Sequence, residues 1–194
     1  MAEIDPSPVP SQRAARHLIS PRERLLHPSR RRNVYVQPAS QTEIHTLHAM
    51  LGARLDHPIA SAETACRIQE ASPNSIWSIH GVKGLLGGVA FLPLNSLGLY
   101  EVIYGKMDFE QPPLETIAIR SQRPSIIYVW ALVATRMGIV GLADVLRQLD
   151  IQRFRHVDIW AQTMTPQAER LAERLGLQRF DTSGGVFYKY GRSA

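Results

Sequence analysis

The stretch that most constrains this chain is residues 125–149, SIIYVWALVATRMGIVGLADVLRQL. Its first part holds Ile126, Ile127, Tyr128, Val129, Trp130, Leu132 and Val133, an apolar run too short and too rich in branched and aromatic residues for a helix. It reads as a fully buried strand. Leu142, Val145, Leu146 and Leu149 then recur at i, i+3, i+4 and i+7, the spacing of one helical face. Between the two lie Arg136, Gly138, Gly141 and Ala143. Small residues at a strand-to-helix turn let a ligand approach the backbone, and the first N–H groups of the helix then point at it. Such a turn suits a phosphate. The pattern is neither a P-loop, which needs a Lys-Ser/Thr pair, nor the Rossmann G-x-G-x-x-G, and a tight strand–helix junction asks for the same small residues.

A chain of 194 residues allows one ordinary domain whose core needs no staple. The single cysteine, Cys66, excludes an intramolecular disulfide and a multi-Cys zinc site and suits a reducing compartment; it reads as a structural thiol. No metal is expected: His45 and His48 share a predicted helix three apart, but no further ligand stands close in sequence. No apolar run reaches membrane-spanning length and no signal-peptide h-region opens the chain, so the expectation is a cytoplasmic protein. The net charge of +5 is concentrated before residue 33 in Arg13, Arg16, Arg22, Arg24, Arg30, Arg31 and Arg32. Residues 1–32 thus form a basic Pro/Arg-rich arm and 33–194 the folded domain. Without aromatic interleaving the arm reads as solvated tail, and nucleic acid is not expected as a partner.

Within the arm, a short helix near 22–27 is the one expected element. Residues 33–38 alternate as a first strand. Ser40 with Glu43 forms a capping box opening a helix with Ile44, Leu47, Leu51 and Leu55 on one face. Residues 61–71 read as a second helix. Strands over 75–82 and 85–94 make a hairpin turning at Lys83 and Gly84, with Gly87 and Gly88 marking a bulge or a close neighbour. Residues 97–104 read as another strand, 111–116 as a turn or the start of a helical segment, and 120–125 as a polar connector. After the organising segment come a strand over 157–164 and a helix capped by Thr165 with Pro166 at its first position, ending at Gly176. Strands over 177–180 and 186–190 close the chain. The order implies an α/β fold.

The C-terminal half resembles the GNAT superfamily of N-acetyltransferases. The family's pyrophosphate-binding loop, roughly Q/R-x-x-G-x-G/A, aligns on Gly138, Gly141 and Ala143, and its later helix, ending A-x-x-L-Y-E-K-x-G-F, aligns on Ala168, Leu171, Glu173, Arg174, Gly176 and Leu177. The resemblance covers about 75–190 and implies a mixed, mostly antiparallel sheet flanked by helices. It also implies acetyl-CoA or a longer acyl-CoA as co-substrate, gripped by Leu132, Val133, Arg136, Gly138, Gly141, Leu142 and Ala143. Departures are equally specific. Gly138 replaces the loop's Gln or Arg, Ala172 the tyrosine that often protonates the CoA thiolate, Thr165 an asparagine, and Ile127 a strand glutamate near the amine.

The implied activity is acyl transfer from CoA, acetyl first, to the amine of a small molecule or peptide. The alternative is a GNAT-like domain that binds CoA, or has lost it, and acts through binding alone; a nucleic-acid- or partner-binding module built on the arm is a third reading. Glu101, in an apolar run, is the expected base, with Asp108 and Glu115 behind it, and Tyr128 or Tyr104 the proton donor. Leu92, Leu94, Leu97 and Leu99 are candidates for an acceptor or acyl pocket, with core the default for leucines in strands. Gly141→Asp is expected to weaken CoA binding. A homodimer through sheet edges, the arm wrapping a neighbour, is compatible with the resemblance.

Overall fold

The computed structural model describes residues 34–55, 58–150, 154–163 and 165–191. The basic arm, its expected helix and the wrapping role lie outside the described residues. The elements run β1 (Val34–Pro38), α1 (Gln41–Gly52), α2 (Ala62–Ala71), β2 (Ile76–Gly81), β3 (Gly84–Leu94), α3 (Ser96–Ile103) and β4 (Ile126–Ala134). They continue with α4 (Leu142–Gln148), β5 (Ile159–Ala161), α5 (Pro166–Arg174), β6 (Gln178–Thr182) and β7 (Gly185–Tyr190). The strands form one seven-stranded sheet in the order β1-β2-β3-β4-β5-β7-β6. Among the described residues only β4 and β5 pair in parallel; every other pairing is antiparallel. The sheet is therefore mixed and mostly antiparallel, as the resemblance implied.

Alternation along the strands sends side chains to two covered faces. Ile127 of β4 joins Trp77, Ile79, Val89 and Phe91 under α4, whose Leu142, Val145 and Leu149 complete that core. On the opposite face Ile126 and Tyr128 pack with Leu92, Leu94 and Val102 of α3, while Val133 meets Ile44 and Leu47 of α1.

The first helix starts as its sequence dictates. Ser40 Oγ accepts from the Glu43 N–H, and Glu43 Oε2 accepts from the Ser40 N–H at 2.7 Å, a reciprocal capping box. Glu43 Oε1 also accepts from Gln37 and pairs with His80 at 2.7 Å. Partial burial works against the charge, but the Ser40 and Gln37 hydrogen bonds and His80 outweigh it and hold the carboxyl below its ordinary value of 4.5. A carboxyl depressed in the folded state stabilises fully above the unfolded value and loses that contribution as pH falls through the folded one. Glu43→Ala is therefore expected to cost on the order of 1 kcal/mol at neutral pH, with the gap from the parent protein closing below about pH 4.5. Urea denaturation at pH 7 and pH 3.5 measures it; a constant gap would rule out the charged cap.

Residues 97–104, expected as a strand, are helical. The Asn95 carboxamide oxygen accepts from the N–H groups of Leu97 and Gly98 at 3.0 and 3.1 Å, a cap that the apparent alternation in LNSLGLY masked. Leu99, Val102 and Ile103 then face the core, three and four apart, while Leu97, Tyr100 and Tyr104 face outward. The strand expected over 157–164 shrinks to Ile159–Ala161, for reasons that concern the site.

Candidate active site

β4 and β5 are hydrogen-bonded neighbours only from Ile127 to Val129 on one strand and Ile159 to Ala161 on the other. Beyond that point β5 stops, while β4 runs on to Ala134 against β3. At the same place the β3–β4 register slips: Phe91 opposes Val129 and Ala90 opposes Ala131, leaving Trp130 as the extra residue of a bulge. A bulge bends its strand, sharpens the local twist and takes a residue out of the ladder. Here it lies at the end of the β5 pairing, and the two parallel strands part.

The gap opens into a cleft of about 700 Å³. One part of its lining comes from the α4 and α5 face, including Leu142, Leu146, Ala168, Leu171 and Ala172. Another comes from the opposite face, including Ile44, Leu47, Leu51, Met107 and Phe109. A single cleft lined from both sides of a sheet requires that the sheet be interrupted, and the parting of β4 and β5 is that interruption.

The lining helix on the α5 side is well fixed. Thr165 Oγ1 accepts from the Ala168 N–H at 3.1 Å and Pro166 occupies the first turn. Glu169 of this helix accepts from the Tyr188 hydroxyl at 2.5 Å. That bond and burial push the Tyr188 phenol up to about 12. It docks α5 onto β7. Ala168 and Ala172 then lie one turn apart on the face toward the cleft.

The strand-to-helix turn is built differently from the sequence expectation. Gly138–Gly141 form a 3-10 turn. In it the Gly138 N–H donates to Thr135 Oγ1, Ile139 to the Thr135 carbonyl, Val140 to Met137 and Leu142 to Ile139. These four N–H groups are used inside the turn. The glycines serve packing: a Cβ on Gly141 would stand 2.4 Å from Ile79 Cγ2, and one on Gly138 2.8 Å from the Leu86 carbonyl oxygen. Gly141 thus faces the sheet core, which corrects the expectation that a side chain there would meet a diphosphate.

Of the residues expected to grip CoA, Leu132, Val133 and Leu142 line the cleft, while Arg136 before the turn, Gly138 and Gly141 in it, and Ala143 in the first turn of α4 do not. Arg136 is exposed. A second guanidinium, missed in the sequence, reaches the same end of β4: Arg54 donates to the Ala134 carbonyl at 2.9 Å. Nothing in the sequence between 54 and 134 signals that contact.

Tyr128 lines the cleft, its ring stacked on Phe109 at 4.6 Å, and burial pushes its phenol well above the ordinary value. Glu101 sits on α3 rather than on a strand and does not line the cleft; neither does Glu115 nor Tyr104. Asp108 does, with Oδ1 already accepting from the N–H groups of Glu110 and Gln111. His48 lines the α1 side. Leu92 and Leu94 are fully buried core, Leu99 packs beside them and Leu97 is exposed, so none of the four forms the pocket proposed for them. Cys66 is half-buried, and burial pushes its thiol up, away from the reactive thiolate. Among the described residues no group of three or more His, Cys, Asp or Glu could hold a metal, and no helix is long and apolar enough to cross a membrane.

A second polar cluster excludes itself as a catalytic triad. Ser78 Oγ and Glu43 both approach the same His80 nitrogen, Nε2, at 3.0 and 2.7 Å. A triad needs the nucleophile on one ring nitrogen and the carboxylate on the other.

No family model and no curated protein sequence matches the chain. Solved structures do. The GNAT-like decarboxylase GphF in complex with isobutyryl-CoA superposes with a TM-score of 0.57 at 12% identity, over 81% of this chain and 98% of that one. The loading GNATL domain of CurA from Lyngbya majuscula gives 0.54 at 12%, over 81% and 97%. This chain has the GNAT fold. Ard1 from Thermoplasma volcanium, at 0.53 and 9% identity over 81% and 95%, shares it as well. Identities of 9–12% establish the GNAT fold alone.

Proposed function

We propose that this protein is an acyl-CoA-dependent N-acyltransferase. The observation that carries the reading is the parting of β4 and β5 at the Trp130 bulge, which opens a channel through the sheet. A pantetheine arm is a narrow, extended chain with amide groups, and a slot between two strands offers it apolar walls and unpaired backbone. That a GNAT-like structure holds isobutyryl-CoA supports the same class of ligand here.

In the proposed reaction the lone pair of an amine nitrogen attacks the thioester carbonyl carbon. The carbon–sulfur bond breaks, the sulfur leaves as thiolate, and an amide forms. The nitrogen gives up a proton to a base on the α1 side, where His48 and Asp108 line the cleft; one proton then reaches the thiolate, so that the products are amide and free thiol. Tyr128, its proton held by burial, serves as a hydrogen-bond donor to the departing sulfur. Backbone N–H groups at the bulge polarise the carbonyl, a donor of this kind contributing about 3 kcal/mol. Positioning the two reactants in one slot supplies much of the remaining acceleration. Arg136 and Arg54 are the cations we assign to the diphosphate, in place of the turn amides.

Isothermal titration with acetyl-CoA and longer acyl-CoAs, followed by thiol release with a panel of amines, tests the reading. Saturable binding and amine-dependent thiol release are expected. Binding without release in any amine would favour the domain acting through binding alone, a reading supported by Ala172 and Ile127 standing where the family carries its acid and base. No binding of any acyl-CoA would remove both.

A further inference from the structure

We propose that the acyl group taken by this cleft is an aliphatic chain several carbons longer than acetyl, housed in an apolar chamber beyond the parting of β4 and β5. The inference rests on the acyl-CoA reading. The channel does not end at the sheet. It continues to the opposite face, where Ile44, Leu47, Leu51, Ile76, Ala90 and Val133 wall a space under α1. A thioester seated between the strands with its CoA side toward α4 and α5 sends its alkyl substituent into this chamber.

The chemistry of the wall selects the occupant. Apart from Tyr128, whose phenol the reaction above already uses, the ionisable side chains lining this side, His48, Asp108 and Glu110, are half-buried or exposed, and Asp108 is engaged in its own turn. A polar acceptor drawn into the chamber would leave water without partners to replace it, a loss that a site must offset with hydrogen bonds. An alkyl chain needs none. The cleft as a whole, the CoA side included, has a volume of about 700 Å³, within the range that encloses a drug-sized ligand, and it is lined on the α1 side as well as on the α4 and α5 side.

The test is isothermal titration of the full-length protein with CoA, acetyl-CoA, butyryl-CoA and hexanoyl-CoA. Each added methylene is expected to tighten binding about three- to fourfold, so hexanoyl-CoA should bind on the order of 100-fold more tightly than acetyl-CoA. Leu51→Asn should shrink the hexanoyl-to-acetyl ratio at least about fivefold, because it sets a polar group against the chain; an unchanged ratio in the folded variant overturns the chamber assignment. Equal affinity for acetyl- and hexanoyl-CoA overturns the inference and leaves the acyl-CoA reading standing, whereas failure of every CoA ester to bind overturns both. Turnover that rises with the length of an alkylamine but not of the acyl chain would assign the chamber to the acceptor, and the proposal falls.

Discussion

Gly141→Asp is expected to destabilise the protein by more than about 3 kcal/mol, through the core rather than through any ligand. The glycine is buried in the 3-10 turn, and a Cβ built on it lies 2.4 Å from Ile79 Cγ2 and within 3.4 Å of Val34 and Val36. These are side chains of the β1–β2 edge packed in the main core. The new atoms must force the turn off the sheet, and the carboxylate arrives among the alkyl groups of Ile79, Val34 and Val36. Overpacking and an unpaired buried charge act in the same direction. Chemical denaturation checks it, with Gly141→Ala as the milder member of the pair. A variant with parental stability would mean that the turn does not sit where the structure has it.

The opposite result is expected at Ala168→Trp. Ala168 is half-buried on α5, its N–H held by Thr165 and its side chain at the cleft wall. An indole there projects from α5 into the cleft without disturbing the helix cap. Acyl-CoA affinity is expected to fall on the order of 30-fold, about 2 kcal/mol, while the urea midpoint shifts little. Titration calorimetry and denaturation on the same preparation separate the two effects. Unaltered affinity in a folded variant would show that the ligand does not run along α5.

The frame was legible because its signals are local. The Ser40 and Thr165 caps, the apolar run of β4 and the heptad-like leucines of α4 each state their structure within a few residues. The site was legible only in part. Leu132, Val133, Leu142 and Tyr128 line the cleft as expected of the strand and helix that carry them. His48 reaches the cleft, and Arg54 the end of β4 eighty residues away, through tertiary packing that no short-range pattern encodes. The glycines of the turn were read by their smallness, but smallness does not say which side is crowded; only the neighbouring strand, Ile79 above all, decides that. Residues 97–104 misled for a related reason, since leucines at alternate positions fit a strand or a short amphipathic helix until the Asn95 cap is considered.

The connection from β3 to β4 has a consequence of its own. Leu94 and Ile126 already face each other across the ladder, so a tight turn of two to five residues would have sufficed to join them. The chain instead makes a detour of about thirty residues, touching down where Trp130 Nε1 donates to the Phe109 carbonyl at 2.9 Å. Met107 and Phe109 from this detour roof one end of the cleft. The ladder between β3 and β4 does not need this excursion for its pairing, but Val102, Met107 and Ile117 from it complete the core on that face of the sheet. On the acyltransferase reading, the end of the cleft covered by Met107 and Phe109 is therefore shaped by this excursion, whereas the walls below it are shaped by the strands.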